Sequence, residues 1–475
     1  MTQNNSGTLA ETFADFAANY PGAKMPADVR EAAHWHIVDS IGVSIAGANP
    51  QEESGKAAAK LIAGWSAPSG ASMLGLGAKA RPELAAMLNG SLAQALEMDD
   101  KHGSSLARPG STVIPAVLAA AEAGGATIAQ AIDATVVGYE VMIRLGFVAG
   151  PRFLERGYHT SSLIGSFGVA AAIGRFRGVA PSTIVDAMGI SGTFASGIQE
   201  STRTGSTSKI LHGGWGAHAG MLATDLAQAG ISGPSSVFEG KFGFFETHLT
   251  PITGALDFDG PATGLGERWY IPDTAYKPYP CCQLLHAFVV AAREILAEFA
   301  KDGTSIDDIS SIHCELAEPG LTLVTEPRER KKTPQTPHEA RFSLFFGVAA
   351  AFVDGDVGLE TFLPARLSDP AILKLAAVTE AAEDPLSDYP AHCPARLTVK
   401  ARGKTYFSHV PYHPGSPEAA LTRDDVLDKF ERNTRWLLGA DARATGERMG
   451  AMPETAKLAD LLACVSPDAA LRKAS

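Results

Sequence analysis

Five alanine-rich stretches, at 82–96, 112–123, 128–145, 163–175 and 181–190, constrain this chain most. Each is closed by Gly, Pro, Ser or Thr, the residues that start and stop helices. Leu, Ile and Val recur at helical spacing within them, so each predicts an apolar stripe. The small residues between let neighbouring helices approach closely. An earlier segment fits the same pattern, with Pro26 at a helix start and Ile37, Val38, Ile41 and Ile45 on one face. No alternation of strand and helix interrupts the series, so the first ~260 residues read as one large helical domain.

The pattern changes near Trp269-Tyr270-Ile271-Pro272. A helix is predicted at 283–300, stopped by Gly303, and another at 337–353. Ile312, Cys314 and Leu316 alternate with polar neighbours, as a strand does. Residues 397–401 and 405–409 flank Arg402-Gly403-Lys404 as a hairpin. After Pro414 two further helices, at 423–438 and 454–462, are expected to return to the first domain. The expected division is therefore 1–268 and 411–475 for the helical domain, with 269–410 as an α+β insertion.

A chain of 475 residues is long enough for two cores, and 19% charged residues with 45% hydrophobic ones fit a globular protein. The net charge of −12 argues against nucleic acid as a partner, while a local basic cluster still suits a small anion. No apolar run reaches membrane-spanning length, and Met1–Gly7 lacks the features of a signal peptide. The five cysteines have no regular spacing, which suggests reduced thiols and a cytoplasmic location.

Several stretches carry the residue types that acid–base chemistry needs. Arg156-Gly157-Tyr158-His159-Thr160-Ser161-Ser162 puts an imidazole and hydroxyls at a helix start, where free N–H groups favour an anion. In Glu97-Met98-Asp99-Asp100-Lys101, three carboxylates lie within four positions. Mutual repulsion is expected to raise one pKa and create a general acid. A Mg²⁺ site, or an Arg-paired helix end, is the alternative. Arg108 follows closely. Lys209, in Thr207-Ser208-Lys209, can hold a carboxylate or act as a base. Tyr276-Lys277-Pro278-Tyr279-Pro280-Cys281-Cys282 brings a phenol, an ammonium and two thiols to another helix start, where a thiol's pKa is expected to fall. Phosphate loops, dinucleotide folds, zinc motifs and nucleophile elbows are not matched, so no cofactor or metal is expected.

These stretches, with Asn89-Gly90, Pro109-Gly110-Ser111, Phe238-Glu239-Gly240 and Glu339-Ala340-Arg341-Phe342-Ser343, resemble the MmgE/PrpD family in order and spacing over nearly the whole chain. Members of that family dehydrate 2-methylcitrate, decarboxylate cis-aconitate or epimerise iminodisuccinate. The resemblance implies a helical domain, a smaller α+β lid, a homodimer and a small carboxylate substrate. It also implies catalytic positions at His159 and Lys209. The chain departs from the decarboxylase pattern in carrying Glu97 for Asp, Lys101 for Thr, Arg108 for a frequent His, and Cys281-Cys282 near another His.

The expected activity is a cofactor-independent lyase of the dehydratase type. In this scheme His159 or Lys209 abstracts the α-proton, Asp100 helps the hydroxyl leave, and Cys282 is a further candidate for proton transfer. Arg108, Lys101, Glu97, Tyr276 and Lys277 are expected around the substrate. Epimerisation, cis-aconitate-type decarboxylation and a catalytically silent metabolite-binding dimer are the alternatives.

Overall fold

A computed structural model describes residues 7–251 and 254–467. Residues 1–6, on which most of the signal-peptide reading rests, lie outside the described residues. The protein is mainly α-helical with a smaller α+β part. No described helix is long and apolar enough to cross a membrane.

Local sequence explains where the helices begin and end. Pro82 opens Pro82–Ala95 at its first turn. Thr127 caps Ile128–Ala149 in a reciprocal box with Gln130, and Thr422 does the same for Arg423–Leu438 with Asp425. Thr160–Arg177 ends at Gly178 in the left-handed conformation. Leu211–Gln228 packs on both Thr160–Arg177 and Pro82–Ala95. A Cβ on Gly214 would lie 2.0 Å from the Met87 carbonyl oxygen, so the contact with Pro82–Ala95 admits only glycine there.

Two apolar cores form. The first runs from Leu9 to Ile271 and includes Phe430, Met449 and Leu458 from the C-terminal helices. The second lies between Tyr279 and Val410. Its sheet has the order β6-β5-β7-β8, where β5 is Ile309–Leu316, β6 is Thr379–Glu383, β7 is Ala395–Ala401 and β8 is Lys404–Val410. β5 pairs parallel with β6 and antiparallel with β7, and β7 and β8 form the expected hairpin. The helix His286–Asp302 covers β7 and β8.

Several expectations need correction. A hairpin of Ser66–Met73 and Ala78–Ala80 interrupts the first helical region. Its small, Gly-rich residues lack the alternation that marks a strand. The helix expected at 337–353 is two, Pro337–Arg341 and Leu344–Asp354, because the Ser343 hydroxyl caps the second by accepting the Phe346 N–H. Ala442–Gly450 is a further helix, and the one expected at 454–462 begins only at Leu458.

Two buried pairs tie distant parts of the chain together. Lys429 Nζ lies 2.7 Å from Asp39 Oδ1 and donates to the Met98 carbonyl at 3.0 Å. Arg341 joins Glu52 at 3.0 Å, linking the second core to the first. Such pairs fix geometry more than they add stability, because both charges have lost their water.

Candidate active site

The chemistry gathers where the Pro82–Ala95 helix ends. Glu97 follows with φ of 58°, a left-handed conformation that a non-glycine residue holds only under constraint. That turn drives the Glu97 carboxylate inward, where it is 1% exposed. Oε1 accepts a short hydrogen bond from Lys209 Nζ, and Oε2 accepts one from Arg108 at 2.9 Å. Lys277 Nζ stands 3.9 Å from Oε2 and 3.4 Å from Asp99 Oδ1. Burial alone would raise the Glu97 pKa, but Lys209, Arg108 and Lys277 together hold it well below the usual carboxylate range.

Asp100 points elsewhere. It accepts Tyr139 Oη at 2.6 Å and the Gly110 N–H at 2.7 Å, with His36 Nδ1 at 2.9 Å. A Cβ on Gly110 would sit 2.7 Å from this carboxylate, so glycine is what admits it. Burial is again outweighed, here by His36, Tyr139 and the Gly110 amide, and the Asp100 pKa falls. Repulsion within the acidic block was expected to raise one pKa; for Glu97 and Asp100 the direction is the opposite. Each carboxylate meets its own donors before it meets the other.

Between the two cores lies a cavity of about 70 Å³. Lys101, Arg108, His159, Lys209 and Cys282 line it, together with Thr160 and Gln283. Four expected site residues do not. Glu97 is the counter-ion of Arg108 and Lys209, and Lys277 pairs with Asp99 and Glu97 without lining the cavity. Asp100 belongs to the His36–Tyr139 cluster. Tyr276 stacks on the His36 ring with centroids 4.3 Å apart, and burial, then Asp39 and Asp100, pushes its phenol pKa well up. Cys281 is buried in the second core, where burial raises its thiol pKa, contrary to the lowered value expected at a helix start. The Cys282 N–H donates to the Arg341 carbonyl at 2.9 Å.

His159 caps the Thr160–Arg177 helix, as its placement before that apolar run predicts, although the helix starts at Thr160. Its Nδ1 lies 3.2 Å from Nδ1 of His212. One of these nitrogens must carry the shared proton, so the two tautomers are linked. Burial first, then Lys209, His212 and Arg108, lowers the His159 pKa well below 6.5, and the ring is neutral at pH 7. His212 is likewise lowered by burial and Lys209, to about 4. Among the described residues Nε2 of His159 has no hydrogen-bond partner.

Lys101 is buried in β3, Lys101–His102, which pairs with β4, Thr274–Ala275. Burial lowers its pKa, and no described carboxylate pairs with it. Lys101, Arg108, Lys209 and Lys277 thus face only Glu97 and Asp99, leaving an excess of two positive charges in an otherwise acidic protein. Among the described residues no three His, Cys, Asp or Glu side chains are grouped to hold a metal ion.

A larger groove, about 920 Å³, is lined by Arg293, Arg432 and Arg435 with Asp356, Asp425 and Asp428. It shares no residue with the cavity. With Glu360 and Glu431 its lining holds five carboxylates against three arginines, partly exposed and net negative, so the cation-rich smaller cavity is the stronger candidate for an anion. Thr160, His212, Gln283 and Tyr389 are site residues that sequence reasoning did not single out. Thr160 lay inside a stretch already chosen, His212 three residues after Lys209 and Gln283 directly after Cys282, whereas Tyr389 carried no signal.

A mainly helical protein with a second core closing over a buried, cation-rich cavity has the form of an enzyme for small anions. The chain belongs to the MmgE/PrpD family of enzymes. The family's N-terminal domain matches residues 11–253 and its C-terminal domain residues 279–451. The chain is 27% identical to the cis-aconitate decarboxylase-like protein oryM of Aspergillus oryzae, over 97% of this chain and 98% of that protein. It is 28% identical to cis-aconitate decarboxylase of Aspergillus terreus, over 90% and 89%. Against the mouse cis-aconitate decarboxylase the identity is 26%, over 81% and 77%.

Proposed function

We propose that this protein is a cofactor-independent lyase that removes the proton α to a carboxylate of a small di- or tricarboxylate and expels a hydroxyl group. The observation that carries this reading is a neutral imidazole, His159, set in a wall of excess positive charge. When His159 Nδ1 donates to His212, Nε2 is the free base. Arg108 and Lys209 hold the adjacent carboxylate and offset the enolate charge that develops. The electron pair left on carbon forms the C=C bond as the C–O bond breaks. The departing hydroxide takes a proton from the Lys101 ammonium and leaves as water. Lys101 and His159 then return to their starting states by proton exchange with solvent. Lys101 replaces Asp100 as the acid, because Asp100 is held ionised away from the cavity.

The second reading is decarboxylation, favoured by the names of the relatives. It needs no base at the start and only a proton donor for the carbanion, which the Lys101 ammonium supplies, so it leaves the free Nε2 of His159 without a role. Epimerisation uses the same base and returns the proton without elimination. NMR in D₂O with hydroxylated and unsaturated di- and tricarboxylates separates the three. Olefin formation with loss of water is expected. Release of CO₂, or exchange alone, would transfer the assignment to the second or third reading. Binding without turnover would make the protein a silent metabolite-binding dimer.

The free thiols of all five cysteines support a reducing compartment such as the cytoplasm. Family membership supports a homodimer, expected to sediment at about twice 49.6 kDa. A monomer at micromolar concentration would count against that assembly.

A further inference from the structure

Gln283 is 3% exposed and lines the cavity, yet neither its amide nitrogen nor its amide oxygen has a partner. The hydroxyl of Thr160, 1% exposed on the same cavity, is also unpartnered. Leaving a buried polar atom unpaired costs about 1–3 kcal/mol, so such atoms are rare in folded proteins. Three of them on two residues that line one cavity point to a ligand that supplies their partners.

The kind of partner follows from the atoms. An amide presents a donor and an acceptor side by side, and a threonine hydroxyl can serve as either. A carboxylate only accepts: it would satisfy Nε2 and set its negative charge against Oε1. A hydroxyl group does both, accepting from Nε2 and donating to Oε1. Carboxylates already have Lys101, Arg108 and Lys209 in the same cavity.

We infer that Gln283 is a specificity-determining residue that recognises a hydroxyl group on the substrate, with Thr160 as a second polar contact. The ligand is then a hydroxylated di- or tricarboxylate, and an unsaturated, acceptor-only acid is the poorer fit. The choice of carboxylates rests on the lyase reading above; recognition of the hydroxyl needs no turnover.

Titration calorimetry at pH 7 with two matched pairs, malate against succinate and citrate against its deoxy analogue tricarballylate, tests this directly. In the wild-type protein at least one hydroxylated acid is expected to bind tenfold or more tighter than its partner, as in sites built to bond a hydroxyl. In Gln283→Leu that ratio should shrink to within about twofold, the deoxy acid keeping its affinity within about threefold. Gln283→Met, of similar length and without amide atoms, serves if the leucine variant does not fold. Equal binding of both members by the wild type, binding of none of the four, or a preference that survives loss of the amide would each overturn the inference. A preference that disappears with the amide, in a protein that turns over no hydroxy acid, would leave the inference standing and remove the lyase reading.

Discussion

Two buried clusters grow from the same five residues, 97–101, and they differ in how their charges close. On the cavity side, Glu97 and Asp99 meet Arg108, Lys209 and Lys277, and Lys101 adds a further cation. Behind the wall, Asp100 and Asp39 meet Lys429, His36 and the Tyr139 hydroxyl. The first cluster is left with positive charge and an opening; the second closes two carboxylates on one ammonium, an imidazole and a phenol, with no room for a ligand. Proximity of carboxylates in sequence therefore says little about function. What matters is whether the partners balance the charge or leave some for a ligand.

The difference can be broken from either side. The largest effect is expected for Lys429→Met, which strands Asp39 in the interior. Removing one member of a buried pair costs about 3–5 kcal/mol, measurable by urea unfolding. Turnover of the folded fraction should stay within about tenfold of wild type, since this pair acts on the fold. If turnover instead collapses with stability intact, the rear cluster takes part in the chemistry.

Next come His159→Ala and Lys209→Ala. Each is expected to lower kcat by roughly 10²-fold or more, as loss of a proton-transfer or charge-stabilising group does. His159→Ala should leave the unfolding midpoint near that of wild type. Near-normal turnover of the true substrate in both variants would end the proposed mechanism.

A third effect is gradual with pH and is shared among several buried rings. His102, His212 and His338 have pKa values lowered by burial to about 4, and His413 to about 3. Below about pH 6.5 the unfolded chain binds protons at these positions that the folded chain refuses. Stability from these groups is thus complete above pH 6.5 and declines as the pH falls through about 4. Thermal midpoints between pH 7 and 4 check this; a flat profile would show that the rings are charged in the fold. The acid limb of kcat/KM should likewise lie below pH 6.5, because His159 is held neutral.

Much of this was legible in the chain. Helical spacing and end signals located the large helical part, the alternation at 312–316 marked β5, and the turn at 402–403 marked the hairpin of β7 and β8. Lys101, Arg108, His159, Lys209 and Cys282 were all chosen from sequence, and the structure brings them to one cavity. The parallel edge strand Thr379–Glu383 and the hairpin at 66–80 were not visible, because neither has clear alternation of apolar and polar residues. Glu97, Tyr276 and Lys277 were expected around the substrate and Asp100 as the acid; none lines the cavity, although each sits close in sequence to a residue that does. Adjacent residues share a location, but a single φ of 58° at Glu97 decides which way its carboxylate faces.

The sequence by itself determined most of the helices and the set of ionisable groups, since these depend on residues a few positions apart. Only the tertiary structure decided which charges cancel. Lys209 reaches Glu97 across 112 residues and Lys429 reaches Asp39 across 390. The pKa of a buried group depends on such neighbours and on the water they displace, and neither is encoded in local spacing.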